Sequence, residues 1–338
     1  MSLANDVISG NRLALARLLT QIENGTAIGR EALSEIFKYS GQAHLIGITG
    51  SPGTGKSTLV NGLTKYFRNP PEGEKKKKVA IVAVDPSSPF TGGAILGDRV
   101  RMRELTGDPG VFIRSMATRG SLGGLAISTS GIVQALDAAG FDIVIIETVG
   151  AGQAEVDIAR LAHTTLVIEA PGLGDDIQAI KAGILEIADV IVINKADRPG
   201  FELTERALRG MLLLAHPTPH IFSHFHSIEP IVPLEDSSRI DNTWIPPIHK
   251  TIATEEKGVQ ELAEIILRHR NHLLSTGEWK SREKERLQSD LLLLIQNELI
   301  KTWQSNLPMN IYDSILPQIY ERKISPWQAV QILLNVSK

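Results

Sequence analysis

Short aliphatic runs recur along the middle of the chain, each closing on polar or glycine-bearing residues. They are Leu45-Ile46-Gly47-Ile48-Thr49, Val79 to Val84, Val111 to Arg114, Phe141 to Ile146, Thr165 to Ala170, Val190 to Ile193 and Ile248 to Ala253. Runs without polar alternation are the pattern of strands covered on both faces, which is how parallel sheets sit between helices. Both ends of the chain show helical spacing instead. Val7, Ile8, Leu13, Leu15, Leu18, Leu19 and Ile22 predict one helix over 7–22, and a second is predicted from Arg30 to Tyr39, ending at Gly41. Helices are also predicted over Val259 to Asn271, Ser281 to Trp303 and on either side of Ser325-Pro326-Trp327. Pro326 suits a first helical position. Leu287, Leu291, Leu294, Ile295 and Leu299 fall on one face of the Ser281–Trp303 helix, a face suited to packing on another helix.

The first aliphatic run is followed by Gly50-Ser51-Pro52-Gly53-Thr54-Gly55-Lys56-Ser57, and then by Thr58 to Leu63 at helical spacing. A strand, a glycine-rich turn ending in Lys-Ser, and a helix form a cradle for phosphate. The glycines let the backbone curl so that its N–H groups face an anion, and the helix terminus adds a favourable dipole. Lys56 reaches the outer phosphates, the Ser57 hydroxyl holds a magnesium ion, and Gly50 through Thr58 make up the expected contact set.

Acidic residues close later strands, where ligands of open parallel sheets bind. Asp85 follows Val79–Val84, and Asp98 lies in the glycine-rich stretch from Thr91. Each is read either as an organiser of magnesium and the attacking water, or as a cap: Asp85 of the turn at Pro86, Asp98 of the helix from Arg99. Arg119 is either a clamp on the outer phosphate or a surface arginine. Glu147 closes the Phe141–Ile146 run and is expected to help hold magnesium, with Lys56, Asp85 and Asp98 completing the catalytic set. Three residues on, Gly150 can offer its N–H to the terminal phosphate, and Gln153 is close enough to position water.

Asn194-Lys195-Ala196-Asp197 follows a strand, roughly 140 residues after the loop. Asp197 can accept hydrogen bonds from the N1–H and exocyclic amine of guanine. Adenine offers no such pair and would leave the carboxylate unsatisfied. Asn194 and the stem of Lys195 brace the loop and the base, and Ala253 can donate its N–H to the guanine carbonyl. The nucleotide is therefore GTP or GDP with Mg2+.

Composition removes some alternatives. The 338 residues carry a net charge of -3, without the basic excess of a nucleic-acid binder. There is no cysteine, hence no disulfide and no thiolate metal site. No run approaches the ~20 apolar residues that span a bilayer, and the N-terminus has no signal pattern, so a cytoplasmic chain, or a mature form whose targeting segment was removed, is expected. Lys75 to Lys78 reads as a solvated connection. His216, His220, His224 and His226 are the foothold for a metal-binding alternative.

Together, the Gly50–Ser57 loop, Asp85-Pro86-Ser87-Ser88, Thr91-Gly92-Gly93 through Leu96-Gly97-Asp98, Glu147-Thr148-Val149-Gly150 with Gly152-Gln153, and Asn194 to Asp197 resemble the MeaB/ArgK family of GTPases over nearly the whole chain. The resemblance implies an α/β P-loop NTPase fold: a mostly parallel central sheet flanked by helices, an N-terminal helical extension (1–42), the GTPase domain (43–272) and a C-terminal helical dimerisation arm (273–338). It implies a homodimer acting as GTP-dependent chaperone of an adenosylcobalamin-dependent acyl-CoA mutase, chiefly methylmalonyl-CoA mutase. It also implies an extra switch from Gly172 to Lys181. Two other functions remain open, a GTP-dependent metal-insertion chaperone and a kinase linked to basic amino-acid transport. Thr251-Ile252-Ala253 stands where many members carry Thr-Ser-Ala, and Thr118-Arg119-Gly120 where many carry a serine pair.

Overall fold

The computed structural model describes residues 2–86, 102–105, 107–118, 124–148, 154–172, 187–215, 243–308 and 310–336. Asp98, Arg119, Gly150, Gln153, the residues 173–181 of the expected extra switch and the four histidines from His216 to His226 lie outside them. Among the described residues the strands are β1 (His44–Thr49), β2 (Val79–Pro86), β3 (Val111–Thr118), β4 (Ile143–Thr148), β5 (Thr164–Glu169), β6 (Val190–Asn194) and β7 (Ile248–Thr251). They form one seven-stranded sheet in the order β3-β2-β4-β1-β5-β6-β7, and every described pairing is parallel. The α/β architecture expected from the aliphatic runs is present.

The helices are α1 (Leu3–Ile8), α2 (Arg12–Glu23), α3 (Ala27–Ile36), α4 (Lys56–Arg68), α5 (Gly124–Ala138), α6 (Ala154–Leu161), α7 (Phe201–Ala215), α8 (Val259–Thr276), α9 (Glu278–Ser305), α10 (Ile311–Tyr320) and α11 (Pro326–Val336). Successive strand residues serve opposite cores. Leu45, Val82, Val144 and Ile146 pack with α2 and α5 residues such as Leu18, Leu19 and Ile132. Ile46, Ile48, Ile81 and Ile145 pack with Leu59 and Leu63 of α4 and Leu262 and Ile266 of α8. Burial on both faces explains why these strands lack polar alternation.

The single helix predicted over 7–22 is two helices. Gly10 turns left-handed (φ 87) and Asn11 caps α2, its Oδ1 accepting the N–H of Leu13 and of Ala14 at 3.0 Å. Capping by asparagine outweighed the continuous apolar spacing. Downstream, α8 runs past Asn271 to a left-handed Gly277 (φ 82), and α9 begins at once.

A buried polar network lies at the amino ends of β1, β5 and β6. The Leu45 N–H donates to His163 Nδ1 (3.0 Å), so the other ring nitrogen carries the proton and donates to Glu283 Oε1 (2.6 Å). Burial pushes the Glu283 carboxyl up, but the His163 hydrogen bond and the nearby Arg286 outweigh it and hold it at about 2. Arg282 donates to both Asp189 oxygens (2.9 and 2.8 Å) and to the His163 carbonyl (2.8 Å). The first turns of α9 are thus tied to the sheet.

The chain clusters into two compact units, residues 1–286 and 287–338. The second has a small core of Ile315, Ala329 and Leu333, with Trp303, Leu307 and Ile319 against it. Leu291, Leu299, Tyr320 and Trp327 are exposed there, Tyr320 by 88% and Trp327 by 73%.

Candidate nucleotide site

The loop between β1 and α4 is held by its carbonyls. Lys56 Nζ donates to the carbonyls of Gly50 (2.7 Å) and Ser51 (3.0 Å), and Thr54 Oγ1 donates to Ser51 O (2.9 Å). Lys195 Nζ donates to Gly53 O (2.5 Å) and Asn194 Nδ2 to Thr54 O (2.8 Å). A trans peptide carries its N–H opposite its C=O. The N–H groups of Ser51 and Gly55 therefore turn away from these donors, the arrangement that makes an anion cradle. Glycine is required at two places. At Gly50 (φ 133) a Cβ would stand 2.0 Å from the Ile168 carbonyl oxygen, and at Gly55 (φ 95) one would stand 2.4 Å from Asn194 Nδ2.

Sheet order brings the magnesium candidates together. β4 lies beside β1 with Ile48 opposite Glu147, so the carboxylate closing β4 faces the start of α4. Ser57 Oγ donates to Glu147 Oε1 at 2.6 Å, and both side chains are buried. Among the described residues, Ser57 and Glu147 bring two hard oxygen donors together for a magnesium ion, which takes few protein ligands and fills its octahedron with phosphate oxygens and water. The donor set fits Mg2+. Asp85 is the penultimate residue of β2, one strand further out; Val84 pairs with Thr148, which puts Asp85 at the same carboxyl end of the sheet.

The stretch expected to read guanine leaves the end of β6. Asn194 is 2% exposed and acts as a brace. Besides its bond to Thr54, its Oδ1 accepts from Thr251 Oγ1 (3.1 Å) and from the Ala253 N–H (3.0 Å). The N–H expected to meet a guanine carbonyl thus donates to Asn194 in this structure. Lys195 is left-handed (φ 58), a conformation that costs a non-glycine residue about 1–3 kcal/mol and clusters at functional sites. Asp197 is exposed. Its charge adds to the pairing with Glu255 (2.6 Å) that raises the Lys257 ammonium above its ordinary range. Thr251 is the residue sequence reasoning missed. The signal was a hydroxyl at a strand end just before the predicted base contact.

A family profile described as "Methylmalonyl Co-A mutase-associated GTPase MeaB" matches residues 15–307. The chain belongs to the MeaB family. A putative GTPase of Pyrococcus abyssi is 40% identical over 326 residues, 96% of this chain and 93% of that protein. The GTPase ArgK of Escherichia coli is 35% identical over 272 residues, 79% of this chain and 75% of that one. The same fold is seen in a crystal structure titled as an LAO/AO transport system kinase, with a TM-score of 0.63 and 24% identity over 98% of this chain and 95% of the other. This MeaB-family chain is accordingly a GTPase. No helix among its described residues is long and apolar enough to cross a membrane.

Proposed function

We propose that this GTPase is a cytoplasmic, homodimeric switch that serves an adenosylcobalamin-dependent acyl-CoA mutase, most directly methylmalonyl-CoA mutase. In this role it gates cofactor delivery and protects or restores the mutase. The family description over residues 15–307 supports the client. The observation that carries the switch is Asn194, which joins the phosphate loop at Thr54 to the base loop at Thr251 and Ala253. A nucleotide that engages both loops acts on one connected unit.

In this reading the curled backbone from Gly50 to Thr58 binds the phosphates, and the buried Lys56 ammonium neutralises the outer ones. Ser57 and Glu147 hold Mg2+, with Asp85 and Asp98 placed in sequence to complete the acidic set. The ion, when bound, screens charge on the β- and γ-phosphate oxygens. Asp197 accepts from the guanine edge, and the Gly150 N–H reports the terminal phosphate. Water attacks the γ-phosphorus in line with the leaving oxygen. Positioning and charge stabilisation supply most of the acceleration. The arm from residue 273 onward forms the dimer through its exposed apolar face, which includes Leu291, Leu299 and Trp327.

The test is steady-state GTP hydrolysis with and without a purified cobalamin-dependent acyl-CoA mutase. The reading predicts a rate changed several-fold by the mutase. A rate indifferent to every such mutase would remove the proposed client while leaving the GTPase intact.

A further inference from the structure

A cavity of about 370 Å³ opens at the other end of the sheet from the phosphate loop. His44 and Ile143, the first residues of β1 and β4, line it, whereas the loop follows Thr49 at the far end of β1. Five strand steps separate the two ends, roughly 17 Å. The volume falls at the low end of small-molecule sites, roughly 300–1,000 Å³.

The charges of this cavity are unequally satisfied. Its two carboxylates serve the backbone. Asp137 accepts the N–H groups of Gly41 (2.5 Å), Gln42 (3.1 Å) and Ala43 (2.9 Å), and Asp142 accepts that of Lys78 (2.7 Å). Its two cations, Lys77 and Arg270, pair with no carboxylate among the described residues. Arg270 is steadied by the Trp279 ring, with its guanidinium carbon 5.6 Å from the ring centroid. Phe141, Ile143 and Leu267 supply apolar wall.

His44 adds a third group. Its Nε2 meets Thr164 Oγ1 at 2.7 Å, and the same hydroxyl meets His269 Nδ1 at 2.9 Å. The Thr164 hydroxyl thus bridges the two rings, and His269 Nε2 lies 3.4 Å from Asp189 Oδ1 without a hydrogen bond to it. His44 Nδ1 is buried without a hydrogen-bond partner among the described residues. Burial first, then the charges of His163, Arg270 and His269, hold the His44 ring well below the usual histidine range and so neutral.

We propose that this cavity is a binding site for a small organic anion, a carboxylate or phosphate group on a short apolar body. Arg270 and Lys77 take the anionic head, Arg270 through the planar fork that suits carboxylate and phosphate. Phe141, Ile143 and Leu267 cover the apolar part, and the unpartnered His44 Nδ1 is available to a polar group on that body. The site is independent of the nucleotide reading.

Isobutyrate, acetate and inorganic phosphate are the probes, titrated into the full chain by calorimetry and tryptophan fluorescence, with sodium chloride at matched ionic strength as blank. Isobutyrate is expected to bind at about 1 mM or tighter, more tightly than acetate or phosphate. Arg270→Gln and Lys77→Gln should each weaken it at least about tenfold, the loss of one charge-assisted contact. GTP hydrolysis without the probe should be unchanged. Lys77 lies at the surface of the cavity, so its variant keeps the test valid if Arg270→Gln misfolds. Absence of saturable binding, binding that both variants retain, or phosphate binding as tightly as isobutyrate would each overturn the proposal.

Discussion

Replacing Asn194 by alanine removes three hydrogen bonds from a side chain that is 2% exposed. The Thr251 hydroxyl can rotate to another acceptor and is counted as costless. The Thr54 carbonyl and the Ala253 N–H cannot rotate, and Ala253 is 5% exposed. Each orphaned buried group costs about 1–3 kcal/mol. Water reaches the neighbouring loop, where Gly53 is exposed, so the lower half of the range applies. The nucleotide-free protein should lose about 2–4 kcal/mol, read from urea midpoints at constant m-value. Affinities for GDP and for pyrophosphate then separate a brace from a base contact. A brace at Thr54 predicts that both fall, because the phosphate loop itself loosens. A residue that touched only the base would leave pyrophosphate binding unchanged. Stability within about 0.5 kcal/mol of the parent, or intact pyrophosphate affinity, would refute the reasoning.

Glu147→Gln keeps an oxygen for the Ser57 hydroxyl but removes the charge, so single-turnover GTP hydrolysis should fall about 10²–10³-fold with a folded protein by circular dichroism. Gly50→Ala forces a Cβ to within 2.0 Å of the Ile168 oxygen at φ 133 and should cost about 3 kcal/mol or more, read as a fall in melting temperature. Stability should also fall on mild acidification. Burial first, opposed in part by Asp189, holds His269 at about 4, against 6.5 when unfolded. Above pH 6.5 neither state is protonated and the contribution is nil; as pH falls from 6.5 toward 4 the unfolded state alone gains the proton. At pH 5 that costs about 2 kcal/mol, and the lowered His44 and His163 act in the same direction. Glu283 opposes none of this, since its stabilising charge is lost only as pH drops from 4.5 toward about 2. Equal urea midpoints at pH 7.5 and pH 5 would contradict the neutral histidines.

The strands were legible because burial on both faces leaves an unbroken aliphatic signature, as in Val79–Val84 and Val190–Ile193. The phosphate loop was legible because its chemistry is local. Sheet order was not, because nothing in the runs says that β4 inserts between β1 and β2, and that insertion brings Glu147 to Ser57. The Asn194 brace was half legible. Its contact with Thr54 spans 140 positions and that with Ala253 spans 59, distances over which one sequence carries no pairing information. The histidine network at the opposite end of the sheet joins residues up to 120 positions apart and gave no sequence signal. The break at Gly10-Asn11 was readable as a cap, and periodicity masked it.

Asp197 is expected to read the guanine edge from a loop that Asn194 ties to the phosphate cradle at Thr54. Competition binding of GDP, ADP and xanthosine diphosphate to the parent and to Asp197→Asn tests it most directly. The carboxylate accepts from guanine N1–H and its amine; an asparagine keeps the first contact but presents an N–H where xanthine carries a carbonyl. Asp197→Asn should weaken GDP by about 100-fold, near 3 kcal/mol, and strengthen xanthosine diphosphate, with ADP poor in both proteins. A parent that binds ADP as tightly as GDP, or a variant that keeps its preference for GDP, would contradict the account.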